Sequence, residues 1–379
     1  MEPIKQPDSH KVVHLLIISL AVVLLVAVFL VIIGAWLANK DNSLADSQEF
    51  DQLQKAEDAY NQNDIASAIL QAYDISNSNP SNINAFIQLS FYLSQYGSAY
   101  FKEVEYGEKA IVAANRALEL DKSSSEAWRA LGFATEIMQN YSDAHKYYEV
   151  SISHDNNNAR AYFGNGHVFD LEGNSAKAEE NYRNAIKIDG TLVEAHSGLG
   201  RILTRQNNLD AAATEFKIVY DSAKNKRVKA EAAYSLSQIY RSQGKLVEAQ
   251  KYAEEATVID PVYPLAWYGV GAVYYSQAID TKSTETMEGR AALLQKSTVM
   301  MNNAIGLNEN QTAAYVQLAI NFSLIGKFDV CFEALDKAQK VVLSDITLTS
   351  TEKSEMIKRI QSVRDSLHVI SETPLPPKN

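Results

Sequence analysis

Apolar side chains recur along this chain at helical spacing, and the whole pattern then recurs as a larger unit. Trp128, Leu131, Gly132, Ala144 and Tyr148 are followed 34 residues later by Tyr162, Asn165, Gly166, Ala178 and Tyr182, and after the same step by His196, Leu199, Gly200, Ala212 and Phe216. Within a cycle the apolar positions fall three or four residues apart, the spacing of one helix face. The cycle length is that of a helical hairpin, which buries its apolar face only by stacking on its neighbours. The prediction is an all-α chain folded as one long α-solenoid rather than as several globular domains.

The period phases the rest of the chain. A degenerate first unit begins at Glu49, with Asn63 and Asp64 marking its turn and Ala68 and Ala72 its second helix. In the second unit the two halves, Phe86 with Leu89 and Ala110 with Ala117, lie about eight residues too far apart, so 96–107 reads as a lengthened helix or an aromatic loop. Regular units follow at 125–158, 159–192 and 193–226, and three extra residues at Asn225–Arg227 then shift the phase. The sixth unit carries Leu236, Tyr240, Gly244 and Ala249. The seventh opens at Trp267 and Gly271 but ends at Ala304 and Leu307, leaving an insertion at 278–291 whose Thr281–Gly289 stretch is expected to protrude. The eighth holds Tyr315, Leu318, Gly326, Cys331 and Ala338, and closes a solenoid spanning 49–345. Thr349 and Glu352 then form a capping-box pattern ahead of the stripe Met356, Ile360, Val363 and Leu367, which predicts a terminal capping helix over 346–370. Pro374, Pro376 and Pro377 make 371–379 an extended or disordered tail.

The N-terminal pattern is different. Leu15 to Ala38 contains no charged residue, and as a helix would run about 36 Å, enough to span a bilayer with some tilt. A cleaved signal peptide is the competing reading, but its apolar core would be shorter, and Trp36 stands where cleavage after Ala38 needs a small residue. We therefore expect an uncleaved transmembrane helix over 12–38, a short tail 1–11, and a polar tether 39–48 that keeps the solenoid near the membrane. Lys5 and Lys11 precede the span, while Lys40 follows it among Asp41, Asp46, Glu49 and Asp51. That bias points to a cytoplasmic N-terminus with the solenoid on the periplasmic or exoplasmic side.

The phased residues resemble the tetratricopeptide repeat family: an aromatic, Leu-Gly and an aromatic in the first helix, then Ala, an aromatic and Ala in the second. The resemblance covers 49–345 and is strongest in Trp128, Leu131, Gly132, Ala144 and Tyr148, and in Tyr162, Gly166, Phe169, Ala178, Tyr182 and Ala185. It implies a right-handed solenoid of about eight hairpins, preceded here by the one transmembrane helix, with the first helices lining a concave face that contacts a peptide or partner helix. One turn either side of the Leu-Gly pair, those helices carry Arg129, Phe133, Phe163, His167, Arg201, Arg205, Tyr234, Gln238, Arg241, Tyr268 and Tyr275. Arginine offers forked donors to carboxylates and tyrosine a broad amphipathic surface, so a ligand with acidic and apolar side chains would suit such a groove. The basic and amide clamp that some family members use for chaperone C-termini is poorly matched by Asn84, Ile87 and Phe91.

Composition narrows the function further. A net charge of -11 argues against nucleic acid as a partner. Gly164-Asn165-Gly166, Gly198-Leu199-Gly200 and Gly269-Val270-Gly271 fall inside first helices, so they read as packing positions rather than dinucleotide loops. The seven histidines show no metal spacing and there is no nucleophile elbow, so neither a cofactor, a metal nor a catalytic residue is expected. Cys331 takes the slot filled by Ala144, Ala178, Ala212 and Ala249, that of a core cysteine. The expectation is a non-catalytic, membrane-tethered scaffold that binds proteins in support of an envelope or secretion complex. A cytosol-facing receptor for chaperones or precursor proteins, and an accessory subunit of an envelope enzyme, are the alternatives.

Overall fold

A computed structural model describes residues 50–100, 102–280, 286–345, 348 and 350–372. Its helices form eight hairpins and a final single helix: α1 (50–61) with α2 (Ile65–Ser78), α3 (Ile83–Ala99) with α4 (Glu103–Leu120), α5 (Ser125–Ile137) with α6 (Tyr141–His154), α7 (Ala159–Leu171) with α8 (Ser175–Ile188), α9 (Val193–Arg205) with α10 (Leu209–Ser222), α11 (Lys226–Ser242) with α12 (Leu246–Ile259), α13 (Pro264–Ile279) with α14 (Met287–Leu307), α15 (Thr312–Leu324) with α16 (Phe328–Ser344), and α17 (Ser350–Glu372). The described residues contain no strand, and no helix among them is long and apolar enough to cross a membrane. The segments 1–11, 12–38 and 39–48 lie outside the described residues, as does the proline tail from 373 onward.

The sequence period is a period of local chemistry. Asp121, Asp155 and Asp189 follow successive second helices, and each carboxylate accepts the backbone N–H two residues on, from Ser123, Asn157 and Thr191, which turns the chain into the next hairpin. Ser124 and Asn158 then cap the following helices by accepting from Ala127 and Ala161. Inside the hairpins, one turn residue is left-handed: Asn63, Gln139, Gly173, Asn207, Gly244 and Gly326 all have φ between 60° and 79°.

Close helix contact comes from rings set against glycine. Tyr148 of α6, 1% exposed, lies between two first helices, and a Cβ would stand 2.9 Å from its ring on Gly132 and 2.4 Å from it on Gly164. Tyr182 of α8 repeats the arrangement between Gly166 and Gly198, at 3.1 and 2.6 Å. In Gly164-Asn165-Gly166 and Gly198-Leu199-Gly200 the first glycine therefore clears the preceding hairpin's tyrosine and the second clears the aromatic of its own hairpin. Trp128, half-buried, packs on the apolar cluster that joins the preceding hairpin to its own, stacks on Tyr147, and closes the preceding loop by donating its indole N–H to the Lys122 carbonyl at 2.9 Å. Trp267 does the same with Pro261. Cys331 is fully buried among Ala334, Leu335 and Ala338, and burial pushes its thiol up.

The irregular stretches are largely helical. Around 96–107, α3 and α4 reach 17 and 18 residues, compared with 13 and 14 for α5 and α6, and Tyr96 packs on Tyr100 and Tyr106 at 4.4 and 4.7 Å. Met287–Gly289, expected within a protrusion, form the first turn of α14, whose N-cap Thr286 accepts from the Gly289 amide. The C-terminal helix begins at Ser350 and continues to Glu372, packing Ile360 and Leu367 onto α16.

First helices touch one another from hairpin to hairpin, α3 with α5, α5 with α7, α7 with α9, α11 with α13 and α13 with α15, whereas second helices do not pair to that extent. The odd-numbered helices therefore line the inner, concave side.

Two outcomes are expected. Gly164→Ala forces a methyl against a ring already held by Gly132, and should cost about 1–3 kcal/mol, more than the ~1 kcal/mol that alanine gains in a helix. Gly306→Ala in α14, with nothing within 4 Å of its Cβ, should instead raise the melting temperature in the same thermal unfolding assay. His196, third occupant of the aromatic slot, meets Glu215 Oε2 at 2.6 Å through Nδ1 and the Gly190 carbonyl at 3.1 Å through Nε2. The Glu215 hydrogen bond raises its pKa against the opposing effect of burial, aided by Gly190. The folded state thus holds the proton more tightly than the unfolded chain, so the extra stability is complete below the ordinary value of about 6.5 and is lost as pH rises through the folded value. The stability difference between wild type and His196→Gln should be largest near pH 6 and shrink by about pH 8.5; a pH-independent difference would refute the charged pair.

Candidate protein-binding groove

The concave side carries three connected groups of side chains. The first is centred on Glu136, a residue of α5 that is 4% exposed. It accepts the Tyr148 hydroxyl at 2.6 Å and lies 2.6 Å from His167 Nδ1, linking α5, α6 and α7. The His167 ring stacks on Phe163 with centroids 6.0 Å apart, and Phe163 in turn stacks on Tyr182. Phe133 turns towards the earlier hairpin and meets Phe91 at 5.8 Å, which extends the aromatic floor to α3 and, through Tyr60, to α1.

The second group is charged. Arg205 of α9 is ion-paired with Asp170 of α7, while Arg201, exposed, makes no ion pair within contact distance and lies near Tyr182 and Glu231. Arg129 reaches Glu126 at 2.7 Å and is nearly buried there. Burial opposes the Glu126 charge, yet Arg129, Arg160 and the Asn158 amide together hold its carboxyl below the usual range.

The third group joins α11 to α13. Arg241 donates to the Gln238 carbonyl oxygen at 2.8 Å, and the Gln238 amide nitrogen is buried without a hydrogen-bond partner. Tyr234 meets Tyr263 edge-on at 6.2 Å; burial, with Tyr268 adding, pushes its hydroxyl up to about 12. Arg227 pairs with Asp260 at 2.6 Å and lies over the Tyr263 ring. Glu231 is open to solvent along the groove yet crowded by protein. That enclosure raises its pKa, Arg227 and Arg201 opposing and Asp260 adding.

The structure thus joins Phe163 with His167, Arg205 with the α7 carboxylate, and Tyr234, Gln238, Arg241 and Tyr268 along α11 and α13. Tyr275 is half-buried further along α13 and takes part in none of these contacts. The sequence reading passed over Glu136, Asp170, Glu231, Arg227 and Tyr60. A signal for two of them exists: Glu136 and Asp170 are 34 residues apart, so one acidic slot near the ends of α5 and α7 meets a nitrogen-bearing side chain of the next hairpin, His167 or Arg205. Among the described residues, no three His, Cys, Asp or Glu side chains converge as metal ligands would.

Residues 172–226 and 197–264 match the sequence model of the tetratricopeptide repeat. A chain of the anaphase-promoting complex assembly Cut9–Hcn1 superposes with a TM-score of 0.62 at 15% identity over 82% of this chain, which spans 55% of that one. The type IV pilus biogenesis factor PilW superposes at 0.50 with 15% identity over 62% of this chain and 98% of its own, and Pseudomonas aeruginosa PilF at 0.50 with 13% identity over 64% and 98%. A comparison with curated proteins gives no match. These likenesses establish the fold: an all-α solenoid of the tetratricopeptide type, with tetratricopeptide repeats in its centre.

Proposed function

We propose that the protein is a non-catalytic scaffold, tethered to a membrane through 12–38, that holds a protein partner by an extended, acid-bearing segment in its concave groove. The observation that carries this reading is the placement of arginine. Arg129, Arg160, Arg201, Arg205, Arg227 and Arg241 all lie on the first helices α5 to α11, interleaved with Phe133, Phe163 and Tyr234 and followed by Tyr268 on α13, in a chain whose net charge is -11. The second helices of those hairpins mostly carry lysine instead, at Lys146, Lys177, Lys187, Lys217 and Lys251. Arginine's planar fork keeps its hydrogen-bonding capacity when partly buried, which lysine's hydrated ammonium does not, so the inner face is built for specific contact and the outer for solubility.

Tethering gives this groove its working concentration. Confinement to the membrane surface raises the effective concentration of the groove towards partners on the same membrane, so modest contacts hold a complex together. PilW is described as a type IV pilus biogenesis factor, and assembly of an envelope or secretion complex is the setting we propose here, with the solenoid on the periplasmic or exoplasmic side.

Arg201→Glu with Arg205→Glu should weaken partner capture, read by crosslinking in the native membrane, while helicity is kept; the part of any fall in melting that comes from losing the Asp170 pair is read from Arg205→Met alone. Full capture by the double variant would rule out this face. Protease added to sealed vesicles with the cytoplasmic side outward should leave the solenoid intact; digestion would reverse the topology and favour a cytosol-facing receptor.

A further inference from the structure

The solenoid makes one contact that the stacking of neighbours does not explain. Asn225, at the start of α11, donates from Nδ2 to the main-chain carbonyl of Tyr60, near the end of α1, at 2.8 Å across 165 residues of sequence. The amide's orientation is fixed by its other end, because Oδ1 accepts the Val228 N–H at 3.1 Å and only an oxygen serves there. Asn225 is 9% exposed, so the turn that covers it is closely applied.

Three further observations surround this bond. The Tyr60 ring sits against Phe91 and Tyr92, at 5.3 and 5.6 Å, and its hydroxyl is pushed up by burial, with the carboxylates of Glu194 on α9 and Glu231 on α11 adding. The end of α1 therefore lies against the same α9–α11 stretch that holds Arg201 and Glu231. Next, α9 touches the first helices on either side of it, α7 and α11, less than α5 touches α3 and α7. Finally, α11 is 17 residues long whereas α5, α7 and α9 have 13, and its start is the place where three extra residues interrupt the 34-residue period. The irregularity in the repeat and the irregular first hairpin meet at one point.

We propose that the first hairpin is a latch: the end of α1 seats against α9 and α11, and the Asn225 amide holds it there, closing the solenoid into a turn that restricts entry to the groove. The restriction of entry rests on the groove reading above; the closure does not. An open solenoid would expose the groove along its length, whereas the closed form admits only what fits past Tyr60 until the latch releases.

Asn225→Asp separates the latch from the helix cap, since aspartate caps a helix as well as asparagine does but presents no donor to the Tyr60 carbonyl. In hydrogen exchange on the full-length chain, this variant should speed exchange across 58–64 by about three- to tenfold, the effect of one lost hydrogen bond, while the start of α11 exchanges as in wild type. Wild-type rates across 58–64 would overturn the latch. As a second measurement, Gln62→Cys with Lys224→Cys, both exposed, should be joined within one molecule by a short bis-maleimide, Cys331 being fully buried. Failure to crosslink would overturn the closed turn. For entry to the groove, Arg201→Cys should react with a maleimide-polyethylene glycol several-fold faster in the Asn225→Asp background, with N-ethylmaleimide reacting equally in both. Equal rates for the bulky reagent would overturn gating and leave closure standing, and partner capture by the Arg201 and Arg205 variants is an independent readout of the groove.

Discussion

Everything in this molecule depends on how closely successive helices can pass around a buried ring. Tyr148 and Tyr182 are each held between two first helices that have given up their side chains at the point of contact, Gly132 with Gly164 and Gly166 with Gly198. One ring thereby serves as core for its own hairpin and as joint to the next, and the same side chain sets both the intra- and inter-hairpin distance. Phe216 against Gly200 and Met301 against Gly271 continue the scheme with other occupants. Because the joint repeats from hairpin to hairpin, the positions one turn away on the first helices are delivered to the concave side in register, and the candidate groove follows from the joints.

Polar chemistry is laid on this frame with the same period. Glu136 and Asp170 occupy one slot in consecutive hairpins, and each engages a side chain of the following one, His167 or Arg205. Such pairs fix neighbouring hairpins while satisfying carboxylates that the fold has placed at an inner surface. Glu136 is the more demanding case, since at 4% exposure it needs both the Tyr148 hydroxyl and His167. Structural pairing thus consumes part of the inner charge, and Arg201 is left open to solvent.

Much of the architecture was legible in the sequence because a hairpin's contacts are local and repeat. The small-residue slots at Gly132 and Ala144 and the place of Cys331 follow from counting. The second glycine of the story, Gly164 or Gly198, was legible only as an apparent motif, because its partner ring belongs to the preceding hairpin. Trp128 packs between hairpins as its phase implies, but its second task was not legible: its indole N–H needs an acceptor and finds one in the Lys122 carbonyl of the loop before it. The stretch 96–107 was ambiguous between helix and loop, and its tyrosines resolve it by packing on one another along lengthened helices. For the candidate groove, aromatic and arginine positions were selected by phase, but the acidic residues paired with His167 and Arg205 looked like ordinary solvated positions. The meeting of Tyr60 with Asn225 had no signal at all, since no periodicity relates residues so far apart.

That meeting changes what kind of repeat protein this is. In an open array each unit contacts only its neighbours, so units are gained or lost with little consequence beyond the length of the chain. Here the α1–α2 turn must arrive opposite the start of α11, and each intervening hairpin contributes to that arrival through its rotation and rise. Adding or deleting a unit between them would carry Tyr60 past Asn225 and leave both surfaces uncovered. The number of hairpins from the first to the sixth is therefore a geometric condition of this one contact, and the hairpins after α12 do not enter into it.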